Sequence, residues 1–93
     1  MVCQYRNHPS IFLWGARISG SPDNEAFYKR TNEAIHRLDP TRPTAGTRST
    51  RKSQLLEDVY AYNDYSYAGR GAGCENRAAV TPDTRKGYLI SEF

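Results

Sequence analysis

The strongest constraint on the fold is the tract Arg6-Asn7-His8-Pro9-Ser10-Ile11-Phe12-Leu13-Trp14-Gly15-Ala16-Arg17-Ile18-Ser19. A polar lead-in broken by proline runs into four consecutive large apolar residues, the signature of a strand buried on both faces. Pro9 lacks an N–H donor and biases His8 toward extended geometry, so a preceding helix ends there and the apolar run starts cleanly. The strand expected from this pattern covers Ile11 to Trp14, with a continuation as far as Ile18. Gly15 and the polar residues beyond it mark where it surfaces.

The rest of the chain alternates helix and strand signals. Met1 to Asn7 reads as the last turn of a helix or a connector. Ser21-Pro22-Asp23 predicts a helix start, because Ser21 caps free amides and proline is tolerated where its missing donor has no partner to lose. The helix is expected to run to about Arg37. Phe27, Thr31, Ala34 and Leu38 fall at helical spacing with Tyr28 and Ile35 beside them, and Lys29, Arg30, Asn32 and Glu33 take the other side. Asp39-Pro40 ends it, and Thr41-Arg42-Pro43 leads into a short strand at Thr44 to Thr47. Ser53 to Glu57 reads as a short helix burying Leu55 and Leu56. Val59 to Tyr62 reads as an alternating strand, Ser66 to Ala79 as a glycine-broken loop, Val80 to Lys86 as an approach, and Tyr88 to Ile90 as the last strand. This order favours an α/β fold with a parallel sheet.

Composition narrows the function classes. The 93 residues, 38% hydrophobic and 25% charged, suit one globular unit. The net charge of +3 is dispersed. Arg48, Arg51 and Lys52 make one small cluster, and the remaining basic residues alternate with acidic ones. That pattern argues against a nucleic-acid footprint, which needs a contiguous basic face. Gly69, Gly71 and Gly73 follow no strand directly and open no helix, so they do not read as a phosphate cradle. Cys3 and Cys74 have neither C-x-x-C spacing nor histidine partners and read as two free thiols, so no metal or other cofactor is expected. No stretch approaches the roughly 18 apolar residues of a membrane span.

Four motifs together carry a resemblance. Arg6-Asn7-His8-Pro9-Ser10, an apolar triplet and Trp14 resemble the fourth strand of the (β/α)8 barrel of glycoside hydrolase family 2, which includes β-galactosidases and β-glucuronidases. Arg37-Leu38-Asp39-Pro40-Thr41-Arg42-Pro43 resembles that family's turn into strand five. Asp58-Val59-Tyr60-Ala61-Tyr62-Asn63-Asp64-Tyr65 resembles strand six, and Gly87-Tyr88-Leu89-Ile90-Ser91-Glu92-Phe93 is similar to strand seven. The resemblance implies that residues 1–93 are a fragment, strands four to seven with their intervening helices, of a partial TIM barrel. A complete barrel needs about 250 residues.

The same resemblance implies site residues. Retaining glycosidases hold two carboxyl groups about 5–5.5 Å apart, one attacking the anomeric carbon and one protonating the leaving oxygen. Glu92 matches the nucleophile. Asn63 and Tyr65 match an Asn-x-Tyr arrangement in which the phenol donates to the nucleophile, and Trp14 is expected in the core or at the barrel mouth against substrate. His8 is expected to be structural, and Arg17 and Arg48 to approach the site. The acid/base departs from the pattern. Ungapped alignment puts Ser19 at the family's Asn and Gly20 at its catalytic Glu, and glycine transfers no proton. Asn24-Glu25 lies slightly later, so Glu25 is the remaining acid/base candidate, although a first-turn acid is also explained by the helix dipole.

Two functions follow as expectations. One is a fragment of a retaining β-glycosidase acting on β-linked galactosides or glucuronides, completed by the rest of a longer chain or self-associating when alone. The other is a degenerate, non-catalytic module that binds carbohydrate or another partner. The ancestry is expected to place Trp14 and Glu92 at one rim of a parallel sheet; opposite rims, or Ile11 to Trp14 coiled as helix, would take the ancestry with them.

Overall fold

The computed structural model describes residues 1–18, 20–49, 51–53, 55–66, 74–81 and 85–92. The elements are α1 (Val2–Tyr5), β1 (Trp14–Arg17), α2 (Glu25–Leu38), β2 (Thr44–Arg48), β3 (Val59–Asn63), α3 (Arg77–Val80) and β4 (Gly87–Glu92). The four strands form one parallel sheet in the order β1-β2-β3-β4.

The sheet has one helix-covered face. Side chains alternate across a strand, and the register Trp14↔Thr44, Gly46↔Tyr60↔Tyr88 puts these residues on a common side. On that side Trp14 and Ala16 pack with Val2 of α1 and Ile35 of α2. Further along, Tyr60 and Tyr62 pack with Val80 of α3, flanked by Leu55 and Tyr88. Consecutive strands side by side with the described helices on one face are compatible with a segment of a barrel. A doubly wound sheet instead reverses its strand order and covers both faces.

The first strand starts later than its apolar run suggests. Trp14 N–H donates to Pro43 O at 3.0 Å and opens the ladder with β2, whereas Phe12 is 73% exposed. The segment before it is tied down by a side chain. Arg42 donates to the carbonyls of Arg6 (2.5 Å), His8 (2.9 Å) and Ile11 (2.6 Å), which clamps the lead-in and takes the Ile11 acceptor that the expected strand would have used. Arg42 also meets Asp39 at 2.7 Å, and Asp39 accepts from the Trp14 indole at 2.9 Å. Asp39 closes a turn on Thr41 through its amide and hydroxyl as well. The Thr41, Trp14 and Arg42 bonds hold its carboxyl far below the ordinary carboxylate range.

Helix α2 is capped by Asn24, whose side chain accepts from Phe27 N–H at 3.1 Å. The expected cap, Ser21, instead donates to Ile18 O at 2.6 Å and bonds the Tyr28 hydroxyl. The buried stripe is Tyr28 and Ile35, while Phe27 is 51% exposed. Asn32, expected on the outer side, faces inward, donating to Leu56 O at 3.2 Å and accepting from the Thr44 hydroxyl.

The helix expected at Ser53 to Glu57 is absent among the described residues. A segment this short cannot offset the cost of helix nucleation, and its side chains serve tertiary bonds instead. Ser53 donates to Asp23 at 2.5 Å and Glu57 pairs with Arg48 at 2.5 Å. Conversely α3 lies where loop and approach were expected, started by the Asn76 side chain accepting from Ala78 N–H at 2.9 Å. The three glycines of that loop, and residues 82–84 of the approach, lie outside the described residues. Cys3 and Cys74 are free and exposed. No described helix is long and apolar enough to cross a membrane.

Candidate functional site

In a parallel sheet all strands end at the same rim, and there β3 and β4 bring their last residues together. The register passes from Tyr62↔Ile90 to Asn63↔Glu92, leaving Ser91 as an extra residue in β4. Such a bulge re-aims the side chains that follow it. Here it lets two neighbours reach one amide: Asn63 Nδ2 donates to Glu92 Oε2 at 2.7 Å, and Ser91 Oγ donates to Asn63 Oδ1 at 2.9 Å. Asn63 thus uses its donor and acceptor ends at once, which fixes the amide orientation.

A phenol completes the setting. Tyr65 hydrogen-bonds the Glu92 carboxylate, and this bond, then partial desolvation, then the carboxylate charge raise the phenol above its ordinary pKa of 10.0. Glu92 therefore has two neutral donors, an amide and a phenol, and stands exposed at the sheet rim. A carboxylate held by two donors and open to solvent has an oxygen lone pair free to approach an electrophile.

The surroundings are polar. A cleft of ≈ 240 Å³ opens beside Asn63 and Tyr65, walled by Arg51, Asp64, Ser66 and Glu75 as well, with Glu92 just outside its lining. Arg51 bonds Glu75 and the Tyr62 hydroxyl, which raise its pKa above the ordinary guanidinium value. Among the described residues no cluster of histidine, cysteine or carboxylates has the arrangement of a metal site.

Of the residues singled out in the sequence, Glu92, Asn63 and Tyr65 come together. Trp14 does not. It is the first residue of β1, 4% exposed and bonded to Asp39, so it sits at the opposite rim from Glu92. The expectation that Trp14 and Glu92 share a rim is overturned, and on that criterion taken by itself the ancestry falls. The criterion took Trp14 as the end of a strand because the apolar run ends there, whereas the ladder begins there and ends at Arg17.

Glu25 is exposed in the first turn of α2, beyond the end of β1. Gly20 is exposed, and a Cβ added to it would meet nothing within 4 Å. Ser19 and Phe93 lie outside the described residues. Arg17 and Arg48 turn to the helix-covered side. Arg17 meets Asp23 at 2.6 Å and lies over Tyr28, and Arg48 meets Glu57 and lies over Tyr60. His8 contributes its carbonyl to Arg42 and its ring lies near Tyr5, as a structural residue would.

Two participants were missed in the sequence. Ser91 was read only as part of a motif, and its role depends on a bulge that no periodicity reveals. Asp64 is 2% exposed and accepts from Ser66 N–H at 2.9 Å, Ser66 Oγ at 2.5 Å and Glu75 N–H at 2.7 Å. Its signal was legible: an Asp two residues before a Ser is a turn-closing pair.

No family model matches the chain. Over its whole length it is 43% identical to a β-galactosidase of Thermoanaerobacter pseudethanolicus and 43% identical to one of Thermoanaerobacterium thermosulfurigenes. Over 88% of its length it is 38% identical to a β-galactosidase of Rhizobium meliloti. The chain spans only 12–13% of the length of these relatives. The similarity supports kinship with a short stretch of a glycosidase.

Proposed function

We propose that this chain derives from the part of a retaining β-glycosidase barrel that carries strands four to seven, with Glu92 as the nucleophile and β-galactosides as the substrate class. The observation that carries the reading is the Glu92 carboxylate held between the Asn63 amide and the Tyr65 phenol at the C-terminal rim of a parallel sheet, where catalytic groups of such barrels stand. Asn63 and Tyr65 keep the carboxylate oriented, and the neighbouring cleft receives sugar. The remaining strands belong to a longer chain, against which the exposed Phe12, Ile18 and Phe27 at the β1 end would pack.

The acid/base function is lost at Gly20 in this reading. Nothing in its surroundings demands glycine, since the space around it is open. General acid catalysis contributes roughly 10²–10⁴-fold, so the chain retains the attacking group and lacks the group that protonates the leaving oxygen. By itself it is expected to hydrolyse no aryl β-galactoside at a measurable rate.

The test transplants residues 1–93 into the Thermoanaerobacter β-galactosidase in place of its homologous stretch. The chimera is expected to release an aryl aglycone roughly 10²–10⁴-fold more slowly than the parent. Gly20→Glu should recover much of that loss, and Glu92→Gln should abolish what remains. A chimera as fast as its parent, or one indifferent to Glu92→Gln, would refute the assignment.

The same open Gly20 also suits a second reading, a non-catalytic carbohydrate-binding module. It requires saturable binding of galactose or glucuronate by the isolated chain, and calorimetry without binding heat excludes it.

A further inference from the structure

We infer that Asp64 is a positioning residue for the rim carboxylate: it fixes the turn that holds the Tyr65 phenol on Glu92. The inference rests on the proposed role of Glu92 for its catalytic meaning, but its geometry stands apart from any activity.

Tyr65 is 62% exposed, so packing does little to orient its ring. Its direction must come from the backbone on either side, and Asp64 controls both sides. On one side the Asp64 amide donates to Glu92 O at 2.7 Å, extending the β3–β4 ladder one residue past the strand end. On the other, the carboxylate accepts both the amide and the hydroxyl of Ser66, closing an Asx-type turn with Tyr65 at its centre. The second carboxylate oxygen accepts Glu75 N–H at 2.7 Å and ties that segment to the same point. A carboxylate that is 2% exposed is costly to bury unless its lone pairs are used, and here three donors use them. The Ser66 hydroxyl and amide, with the Glu75 amide behind them, lower its pKa, so it stays charged across the neutral range.

Asp64 does not touch the carboxylate it serves. It acts through Tyr65, which makes the effect separable from simple structural support. With the turn released, the exposed phenol is free to leave Glu92 while the sheet beneath remains.

The experiment uses the full chain carrying ¹³Cζ-tyrosine, with the Tyr65 resonance assigned by Tyr65→Phe and its titration followed by NMR. Wild type is expected to titrate above the ordinary phenol value. Asp64→Ala should bring Tyr65 down toward that value, and Asp64→Asn, which keeps an acceptor for Ser66, should retain more of the shift. In a Glu92→Gln background, Asp64→Ala should change Tyr65 no further. Trp14 emission reports whether the fold survives. If Asp64→Ala unfolds the chain, Ser66→Ala removes one donor without leaving a buried charge unpaired, and a smaller drop with the same dependence on Glu92 is expected. A Tyr65 titration unchanged in a folded Asp64→Ala or Ser66→Ala variant overturns the inference, as does an Asp64→Ala effect on Tyr65 that is just as large in the Glu92→Gln background. Because the readout needs no turnover, it is distinguishable from failure of the glycosidase reading, which the chimera tests.

Discussion

Gly46→Ala is expected to be among the most damaging small substitutions in this chain. A Cβ at Gly46 would lie 2.9 Å from Glu57 Oε2 and closer still to its Oε1 and Cδ, inside any real contact distance. The obstacle cannot swing away into solvent: Glu57 is 1% exposed and its Oε2 accepts from Arg48 Nη2 at 2.5 Å, with the Arg48 side chain fully buried. Arg48 Nη1 also donates to Gly46 O at 2.6 Å, so backbone and ion pair are one unit. Overpacking alone costs about 1–3 kcal/mol, and driving one member of a buried pair off its partner costs about 3–5 kcal/mol. A loss of at least about 3 kcal/mol is therefore expected, against a total stability of roughly 5–14 kcal/mol for a chain of this length. The assay is urea unfolding followed by the emission of Trp14, the one tryptophan of the chain. With a slope of about 1–3 kcal/mol per molar, the midpoint should fall by about 1–3 M. Gly15→Ala and Gly20→Ala, whose Cβ positions are open, should stay within about 0.5 kcal/mol of wild type. Glu57→Asp, which withdraws the carboxylate by one methylene, should recover part of the Gly46→Ala loss. A Gly46→Ala protein as stable as the Gly15→Ala control would refute the reasoning.

Other outcomes follow from the same geometry. Asp39, Asp58 and Asp64 all titrate below their ordinary value of 3.8 in the folded chain; for Asp58 burial works the other way but is outweighed by the Thr44 amide and His36. The stability they contribute is complete above that value and lost as pH falls toward their folded values. The urea midpoint should therefore hold from pH 7 to 5 and decline below about pH 4, with a shallower decline in Asp39→Asn. Gly20→Glu should leave the unfolding free energy within about 0.5 kcal/mol of wild type, because its surroundings are open; a large loss would mean that the glycine is structurally required. The isolated chain, with β1 and β4 at the edges of the described sheet and Phe12 and Ile18 more than 70% exposed, should self-associate, and a sharp monomeric species of 10.6 kDa by light scattering would contradict that.

The parts of the fold that were legible are those set by local pattern. Val59 to Tyr62 and Tyr88 to Ile90 alternate and became strands because each has a covered face to fill. The parts that were not legible depend on side chains reaching across the chain. Arg42 takes the carbonyls of Arg6, His8 and Ile11 from more than 30 residues away, so an apolar run that looked like a strand is held as a clamped lead-in. Ser21 reads as the helix cap, yet its hydroxyl is taken by Ile18 O and the Tyr28 hydroxyl, and Asn24 caps the helix instead. Asn32 looked like an outward residue because its side chain is polar, yet Leu56 O and the Thr44 hydroxyl draw it inward.

The candidate site divides in the same way. Glu92, Asn63 and Tyr65 were singled out through the resemblance of their motifs, and their meeting follows because parallel strands finish at one rim. Trp14 was misplaced because its position was counted from the end of an apolar run. Its indole, Asp39 and Arg42 form one hydrogen-bonded knot at the rim opposite Glu92. The motifs that carry the resemblance therefore do two different jobs. Arg6 to Trp14 and Asp39 to Arg42 fasten the N-terminal rim, where no chemistry is expected, and Asn63 to Tyr65 with Ser91-Glu92 arrange a carboxylate at the other. The failure of Trp14 to reach Glu92 thus removes a substrate contact and leaves the carboxylate's own setting intact. Under the proposed glycosidase reading, whether that setting works as a catalytic site turns on Gly20, one residue with open surroundings, and on neither of the two hydrogen-bonded rims.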